Sequence, residues 1–186
     1  MAVDPQKSPP WYSVISGGDI RQGDILLDAP IITPLSVDDL DKDSIGDVQV
    51  SRQPAIIASQ SCDLVIRRSG KPKVEQVILC PIFTKTEVDK ASKFDASKWE
   101  DIRRGYLPRY HLLNRCDIRG HETEVRLVDL ANVLSLPFAV VKQLCERMKE
   151  RIRLESPYRE HMSQAFARFF MRVGLPIDIP PFEKRL

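Results

Sequence analysis

The first 135 residues form a series of short apolar runs separated by Gly, Pro and Asp, and this punctuation limits what the chain can fold into. Runs such as residues 25–27, 53–59 and 75–83 have the length and composition of strands, and turn residues lie between them. No apolar run approaches the roughly 18 residues of a membrane span, and the first twenty residues lack the apolar stretch of a secretory signal. The sequence therefore predicts a soluble, cytoplasmic, strand-rich protein with no membrane partner.

Helical spacing appears in other parts of the chain. Between residues 86 and 104, lysines and arginines surround apolar side chains in the pattern of one or two short amphipathic helices. A second helical pattern begins at Pro137, which suits the first position of a helix, and a third begins at Ser156. The third predicts a seventeen-residue helix that ends before Gly174. Together with the strands, these patterns indicate the α+β class.

The formal net charge is only +2, but it is unevenly distributed along the chain. Residues 1–60 hold four basic and nine acidic groups, whereas residues 61–186 hold twenty-four basic and seventeen acidic groups. Much of the acidic excess lies in residues 36–47, which carry five aspartates and one lysine and are predicted to form an exposed loop. This asymmetry is the first indication of function.

The four cysteines stand 18, 36 and 29 positions apart, without the CxxC spacing of a structural zinc site. We expect these thiols to be buried and reduced. A metal site drawn from Cys62, Asp63, His111 and Cys116 would rest on composition alone, so neither a metal nor another cofactor is predicted.

Several short motifs, taken in their order along the chain, resemble the MazF/PemK toxin family. They are a Gly-Asp pair at positions 23–24 or 18–19, a proline-led aliphatic run at 53–59, Pro81 shortly before Thr84, and the stretch 128–135. The resemblance implies an SH3-like antiparallel β-barrel over residues 11–135 with the helical insertion at about 86–104. Residues 136–186 would then be a C-terminal helical region, and the polar, Pro-rich residues 1–10 are expected to be disordered.

The same resemblance implies that Arg52 and Thr84 are catalytic if the chain is a metal-independent endoribonuclease. In the family, however, an arginine stands where this chain has Gln53, and a shift of one residue along a strand moves a side chain to the opposite face. The aspartates of residues 36–47 would also repel phosphates at the place where RNA-cleaving members cover their substrate groove. These departures favour a protein that has the barrel fold but does not cleave RNA.

A second resemblance is to uncharacterised bacterial proteins that carry a Ser-Gln-x-Cys-Asp motif inside such a barrel and a Ser-Pro-Tyr-Arg-Glu-His-like start to the last helix. In this chain the two stretches are residues 59–64 and 156–161. This resemblance supports the fold and implies no particular activity.

Polar residues after the second aliphatic run are candidate binding residues, because sites are often built where a strand ends. Gln60, Cys62 and Asp63 lie there. As a nucleophile, Cys62 would need a nearby histidine or other cation, and the more ordinary interpretation is a packed thiol with Asp63 in a turn. Further binding candidates are the cations of the next turn and of the last helix, namely Arg67, Arg68, Lys71, Lys73, Arg168 and Arg172.

The basic segment between residues 67 and 119 is interleaved with aromatic residues, a mixture that suits a nucleic-acid backbone and its bases. On the last helix, His161, Gln164, Arg168 and Arg172 share one face at helical spacing. The alternative for both sets is a solvated helical surface with its aromatic residues in the core.

We therefore expect a non-catalytic binding module that holds RNA, DNA or a partner protein, with a bacterial toxin–antitoxin or defence context implied by the resemblance. The alternatives are the endoribonuclease and a scaffolding or antitoxin-like subunit that docks through its C-terminal helix. The resemblance also implies a homodimer. The predicted barrel core consists of Ile25, Leu27, Ile56, Ile57, Ile78, Leu79, Leu127 and Val128.

Overall fold

The chain folds into antiparallel strands with four helices among the residues that the structure, a computed structural model, describes: 9–34, 48–68, 70–92 and 94–171. The strands are β1 (Tyr12–Ile15), β2 (Ile25–Pro34), β3 (Val48–Ile57), β4 (Gln76–Thr84), β5 (Tyr110–Leu113), β6 (Arg126–Asp129), β7 (Leu134–Pro137) and β8 (Arg151–Leu154). The helices are α1 (Lys85–Ser92), α2 (Ala96–Arg103), α3 (Phe138–Arg147) and α4 (Tyr158–Phe170).

The main sheet has the strand order β2-β3-β4-β6-β5, and every pairing in it is antiparallel. Strand β4 is its centre, because β4 also pairs with β7 through residues 76–79. Strands β1 and β8 form a separate two-stranded ribbon. An isolated bridge between Asp24 and Arg153 joins this ribbon to the start of β2.

The α+β class is confirmed, but the strand pairing does not close into a barrel within the described ranges. The ribbon approaches the far end of the sheet through Tyr12, whose hydroxyl donates to the carbonyl of Asn114 at 2.6 Å. That contact is made by a side chain, so no backbone ladder completes a ring there.

The core differs from the prediction at Leu27, which is 56% exposed, whereas Ile25 and Leu26 beside it are buried. The reason is a register shift between Leu26 and Ala29, where β2 departs from regular pairing with β3 and turns Leu27 outward. Ile78 is half-buried. The remaining predicted core residues are buried: Ile56, Ile57, Leu79, Leu127 and Val128.

The helices at 85–104 lie where the pattern predicts them, and α4 starts one residue after Pro157. Pro137 is the last residue of β7 and not the first of a helix. Helix α4 has 13 residues and ends at Phe170, before the predicted stop at Gly174, which lies outside the described residues.

The region after residue 135 is not wholly helical, because β8 lies within it and pairs with β1. The disordered start is predicted over residues 1–10, of which the structure describes only the last two, and the acidic loop at 36–47 falls outside the described residues. No helix within the described ranges is long and apolar enough to cross a membrane.

Candidate nucleic-acid interface

A groove of about 490 Å³ lies between the end of α2 and the outer face of α4, and we call it the basic groove. Its polar lining comes from six side chains: Arg103, Arg104, His111, His161, Gln164 and Arg168. No carboxylate is among the residues that line it in the described part of the chain.

Helix α2 positions two of the arginines. Asp95 caps its start by accepting a hydrogen bond from the Lys98 amide at 2.8 Å. At the other end, Gly105 adopts a φ of +77°, a left-handed conformation that favours glycine, and its amide donates to the Ile102 carbonyl at 2.9 Å. The chain therefore turns sharply just after Arg104.

Glu100, one turn earlier, holds both of these guanidinium groups. Arg103 donates to its two carboxylate oxygens at 2.7 and 2.6 Å, and Arg104 donates to one of them at 2.7 Å. These hydrogen bonds lower the pKa of Glu100 to about 2. The carboxylate orients the two arginines from outside the groove, and two cations against one anion leave an excess of positive charge.

Helix α4 supplies the opposite wall. His161, Gln164 and Arg168 lie on its exposed face at i, i+3 and i+7, while Met162 is buried beneath them. Arg168 forms no ion pair with any described residue. Arg172, the next predicted position on this face, is outside the described ranges.

Two aromatic residues, Trp11 and Tyr110, contribute to the lining of the groove. Trp11 stacks on Tyr158 at a centroid distance of 3.7 Å with the planes 10° apart. Beside them lies His111, whose Nε2 is enclosed without a hydrogen-bond partner. Burial, and to a lesser extent the nearby His161, lowers the pKa of His111 to about 4. At neutral pH His111 is uncharged and adds no charge to that of the arginines.

A larger cavity of about 730 Å³ lies elsewhere, and we call it the paired-charge cleft. Residues 18–22, 60–66, Phe138 and the start of α4 contribute to its lining. The two stretches of the second resemblance therefore meet here. Its charged residues are matched: Arg21 pairs with Asp19 at 2.9 Å, and Arg159 pairs with Glu160 at 2.6 Å.

A buried ion cluster holds one wall of this cleft in place. Both Arg151 and Arg153 donate to the fully buried carboxylate of Asp24 at distances of 3.0 Å. Arg151 also donates to the Gly17 carbonyl at 2.6 Å, and Arg153 donates to the Asp19 carbonyl at 3.0 Å. The two arginines of β8 thus hold the loop that precedes β2 in place.

The predicted cations after β3 form a compact turn at the rim of the paired-charge cleft. Ile66 and Pro72 form a bridge, and the Arg67 amide donates to the Lys71 carbonyl at 2.8 Å. We call Arg67, Arg68, Gly70 and Lys71 the basic turn; its three cations are exposed and form no ion pair with a described residue.

Lys73, just beyond the turn, donates to Asp63 at 2.6 Å. This hydrogen bond lowers the pKa of Asp63 and raises that of Lys73. The structure therefore places the predicted binding residues on two surfaces, with positions 60–73 around the cleft and Arg168 in the basic groove.

Cys62 is exposed, contrary to the prediction of a buried thiol. Its Sγ faces the side-chain oxygen of Gln60 at 3.7 Å, and no histidine in the described ranges is hydrogen-bonded to it. The other cysteines are buried as expected, and burial raises the pKa of Cys80 to about 12 and of Cys145 to about 11.

Arg52 and Thr84 each have a local partner. Arg52 donates to Asp28 across the β2–β3 pair at 2.9 Å, with both side chains exposed. Thr84 donates its hydroxyl to Glu87 at 2.8 Å at the start of α1. The described pairing of β3 with β4 ends at Ala55 and Pro81, before either residue is reached.

The structure does not bring together the four residues that were considered as a metal site. Cys62 lines the paired-charge cleft and His111 lines the basic groove. No group of three or more His, Cys, Asp or Glu side chains is arranged to hold a metal ion among the described residues.

The sequence indicated the polar face of α4 and the basic segment as two separate features. It did not indicate that they meet in one groove. Sequence reasoning missed Asp24, Arg151 and Arg153, although the alternating Arg-Ile-Arg-Leu of residues 151–154 is a period-two signal for a strand.

The fold and the two cavities described above define an antiparallel α+β protein that has a basic surface and a charge-balanced surface. No protein-family model matches the chain, and a search of curated proteins finds no significant match.

Proposed function

We propose that this protein is a non-catalytic module that binds single-stranded nucleic acid in the basic groove. The observation that carries the proposal is the meeting of Arg103, Arg104 and Arg168 in a groove lined by no carboxylate among the described residues. Guanidinium groups bind phosphate oxygens with paired hydrogen bonds, and aromatic walls stack on bases without regard to sequence.

The charge of the groove favours a polyanion over a protein partner. A protein-docking face is expected to combine an apolar centre with a polar rim, whereas α4 lines the groove with the exposed polar side chains of His161, Gln164 and Arg168 and with the small apolar Ala165. Three phosphate contacts predict modest affinity, in the range of about 10⁻⁴ to 10⁻⁶ M, with a clear dependence on salt.

The direct test is binding of a fluorescent single-stranded oligonucleotide, as RNA and as DNA, in EDTA at several salt concentrations. We expect a slope of log K against log[salt] of about −2 for the natural chain, since each phosphate contact on a single strand contributes about −0.7. Arg104→Glu with Arg168→Glu should weaken binding at least tenfold and bring the slope towards about −0.7.

The matched control is Arg67→Glu with Arg68→Glu, which makes the same charge change on the basic turn. This variant should bind like the natural chain. If it loses binding while Arg104→Glu with Arg168→Glu keeps it, the basic turn is the interface and the groove is not. If no oligonucleotide binds at any salt concentration, the proposed function is wrong.

The same tubes test the endoribonuclease alternative. New RNA ends that disappear in Arg52→Ala and in Thr84→Ala would make the chain a nuclease of the MazF/PemK type. Binding without cleavage favours the module proposed above, a relative of the toxin fold acting in a toxin–antitoxin or defence setting. Stable copurification with one protein, lost on Arg168→Glu, would instead favour the docking subunit.

A further inference from the structure

The paired-charge cleft has an apolar floor that the proposed function does not use. Ile20, Leu64 and Phe138 form this floor, each no more than 6% exposed. At the rim, Val65 is 55% exposed and Ile66 is 47% exposed. Apolar side chains left open to water beside a cavity of this size are typical of a binding surface.

Immediately beyond this apolar rim lies the basic turn, whose Arg67, Arg68 and Lys71 are exposed. Because the ion pairs inside the cleft cancel, the unbalanced charge at this surface is positive and comes from the turn. The surface therefore fits an acidic segment that also carries apolar side chains.

The chain itself contains such a segment. Residues 35–47 hold five aspartates and one lysine, together with four apolar side chains at Leu35, Val37, Leu40 and Ile45. Its net charge of −4 complements the basic turn, and its apolar residues match the cleft floor in character.

The segment cannot reach the cleft of its own copy. It joins Pro34 to Val48 at one end of the β2–β3 pair, while the cleft is lined by residues that precede Ile25 and follow Ile57 at the other end. Nine residues of strand separate the two ends by about 30 Å. To run from Pro34 to the cleft and return to Val48, the segment would have to span about 60 Å, whereas thirteen residues span less than about 50 Å when fully extended.

We propose that residues 35–47 of one copy bind the paired-charge cleft and the basic turn of a second copy. Two copies that exchange their segments form a closed dimer with two identical contacts. The contact is held by apolar burial in the cleft and by charge pairing at the turn.

Sedimentation of the full-length protein over a range of concentrations tests the proposal. The natural chain should dimerise, and raising the salt concentration should weaken the dimer. Two variants should each dimerise at least tenfold more weakly: Arg67→Glu with Arg68→Glu, and a second in which Asp38, Asp39, Asp41 and Asp43 are changed to Asn. Thermal melting confirms that each variant is folded.

Mixing the two variants gives the decisive result. The first retains an intact segment and the second an intact surface, so the mixture should form a heterodimer through one of the two contacts. This heterodimer should be weaker than the natural dimer and tighter than the dimer of either variant alone. Arg104→Glu with Arg168→Glu, a matched charge change in the basic groove, should leave dimerisation unchanged. A natural chain that stays monomeric, a dimer that survives in either variant, or a mixture that stays monomeric would each overturn the proposal.

Discussion

The basic groove and the paired-charge cleft are both lined by arginines, yet the arginines do different things. In the groove, Arg168 has no acidic partner in the described ranges, and Arg103 and Arg104 share the single carboxylate of Glu100. In the cleft, each arginine is matched by its own carboxylate. Three arginines line the groove and two line the cleft, but the larger difference is in the carboxylates: Asp19 and Glu160 line the cleft, and none lines the groove among the described residues.

This difference has a physical consequence for ligand choice. A guanidinium that already forms an ion pair contributes little field at a distance, because the partner's charge cancels it. A guanidinium with an incomplete partner attracts phosphate and exchanges it for counterions. Hence the groove suits a polyanion, while the cleft suits a segment that buries apolar side chains and meets positive charge only at the basic turn.

The largest expected effect comes from the cluster that supports the cleft wall. Asp24→Asn leaves the buried Arg151 without a charge partner and Arg153 with only the exposed Asp19, and we expect a loss of about 3–5 kcal/mol in the free energy of unfolding. Urea unfolding at neutral pH measures it. Asp19→Asn, an exposed partner in the same loop, should cost less than about 1 kcal/mol. Equal losses would show that the cluster does not support the wall.

A medium effect is expected on the groove side, from the partly buried His111. Its pKa is about 4 in the folded protein, against 6.5 for the free side chain. Between pH 4 and pH 6.5 the imidazole binds a proton in the unfolded chain but not in the folded protein. The contribution of neutral His111 to the free energy of unfolding is therefore fully present above about pH 6.5 and is lost as the pH decreases towards 4. The loss is up to about 3 kcal/mol, and its cause is burial together with the nearby His161.

Replacing the imidazole tests this assignment. In His111→Gln, the free energy of unfolding should change less between pH 6.5 and pH 4 than it does in the natural chain, while carboxylate titration acts equally on both. Urea midpoints across this pH range measure the difference. Identical pH profiles would mean that His111 is not held neutral by the groove wall.

The smallest effect is expected at the exposed pair beside the cleft. Lys73→Met removes the partner of Asp63, yet a pair this open to solvent contributes little to stability, because water screens the attraction between the two charges. Thermal melting measures the change. A loss comparable with that of Asp24→Asn would contradict the division between a supporting buried cluster and a solvated rim.

Much of the secondary structure could be predicted from local signals. The apolar runs gave β2, β3 and β4, and helical spacing gave α1 to α4 to within a few residues. Strand β8 is missed because a period-two pattern of only four residues is a weak signal. Strand β7 is predicted only in part, because the resemblance places residues up to 135 in the barrel whereas Pro137 is assigned to a helix. Leu27 was assigned to the core because no pattern in a three-residue apolar run reveals the register shift that exposes it.

The candidate site could be predicted only in part, because local signals show which residues share a helix face but not which elements pack against that face. The sequence alone determined that α4 would carry a polar face with His161, Gln164 and Arg168, since helical geometry fixes which residues share a face. It also determined the charge asymmetry between the two parts of the chain. Only the tertiary structure decided that α2 lies opposite that face, and that Asp24 meets two arginines 127 and 129 positions away. Such pairings depend on how strands and helices pack together over long sequence separations, and no local pattern encodes them.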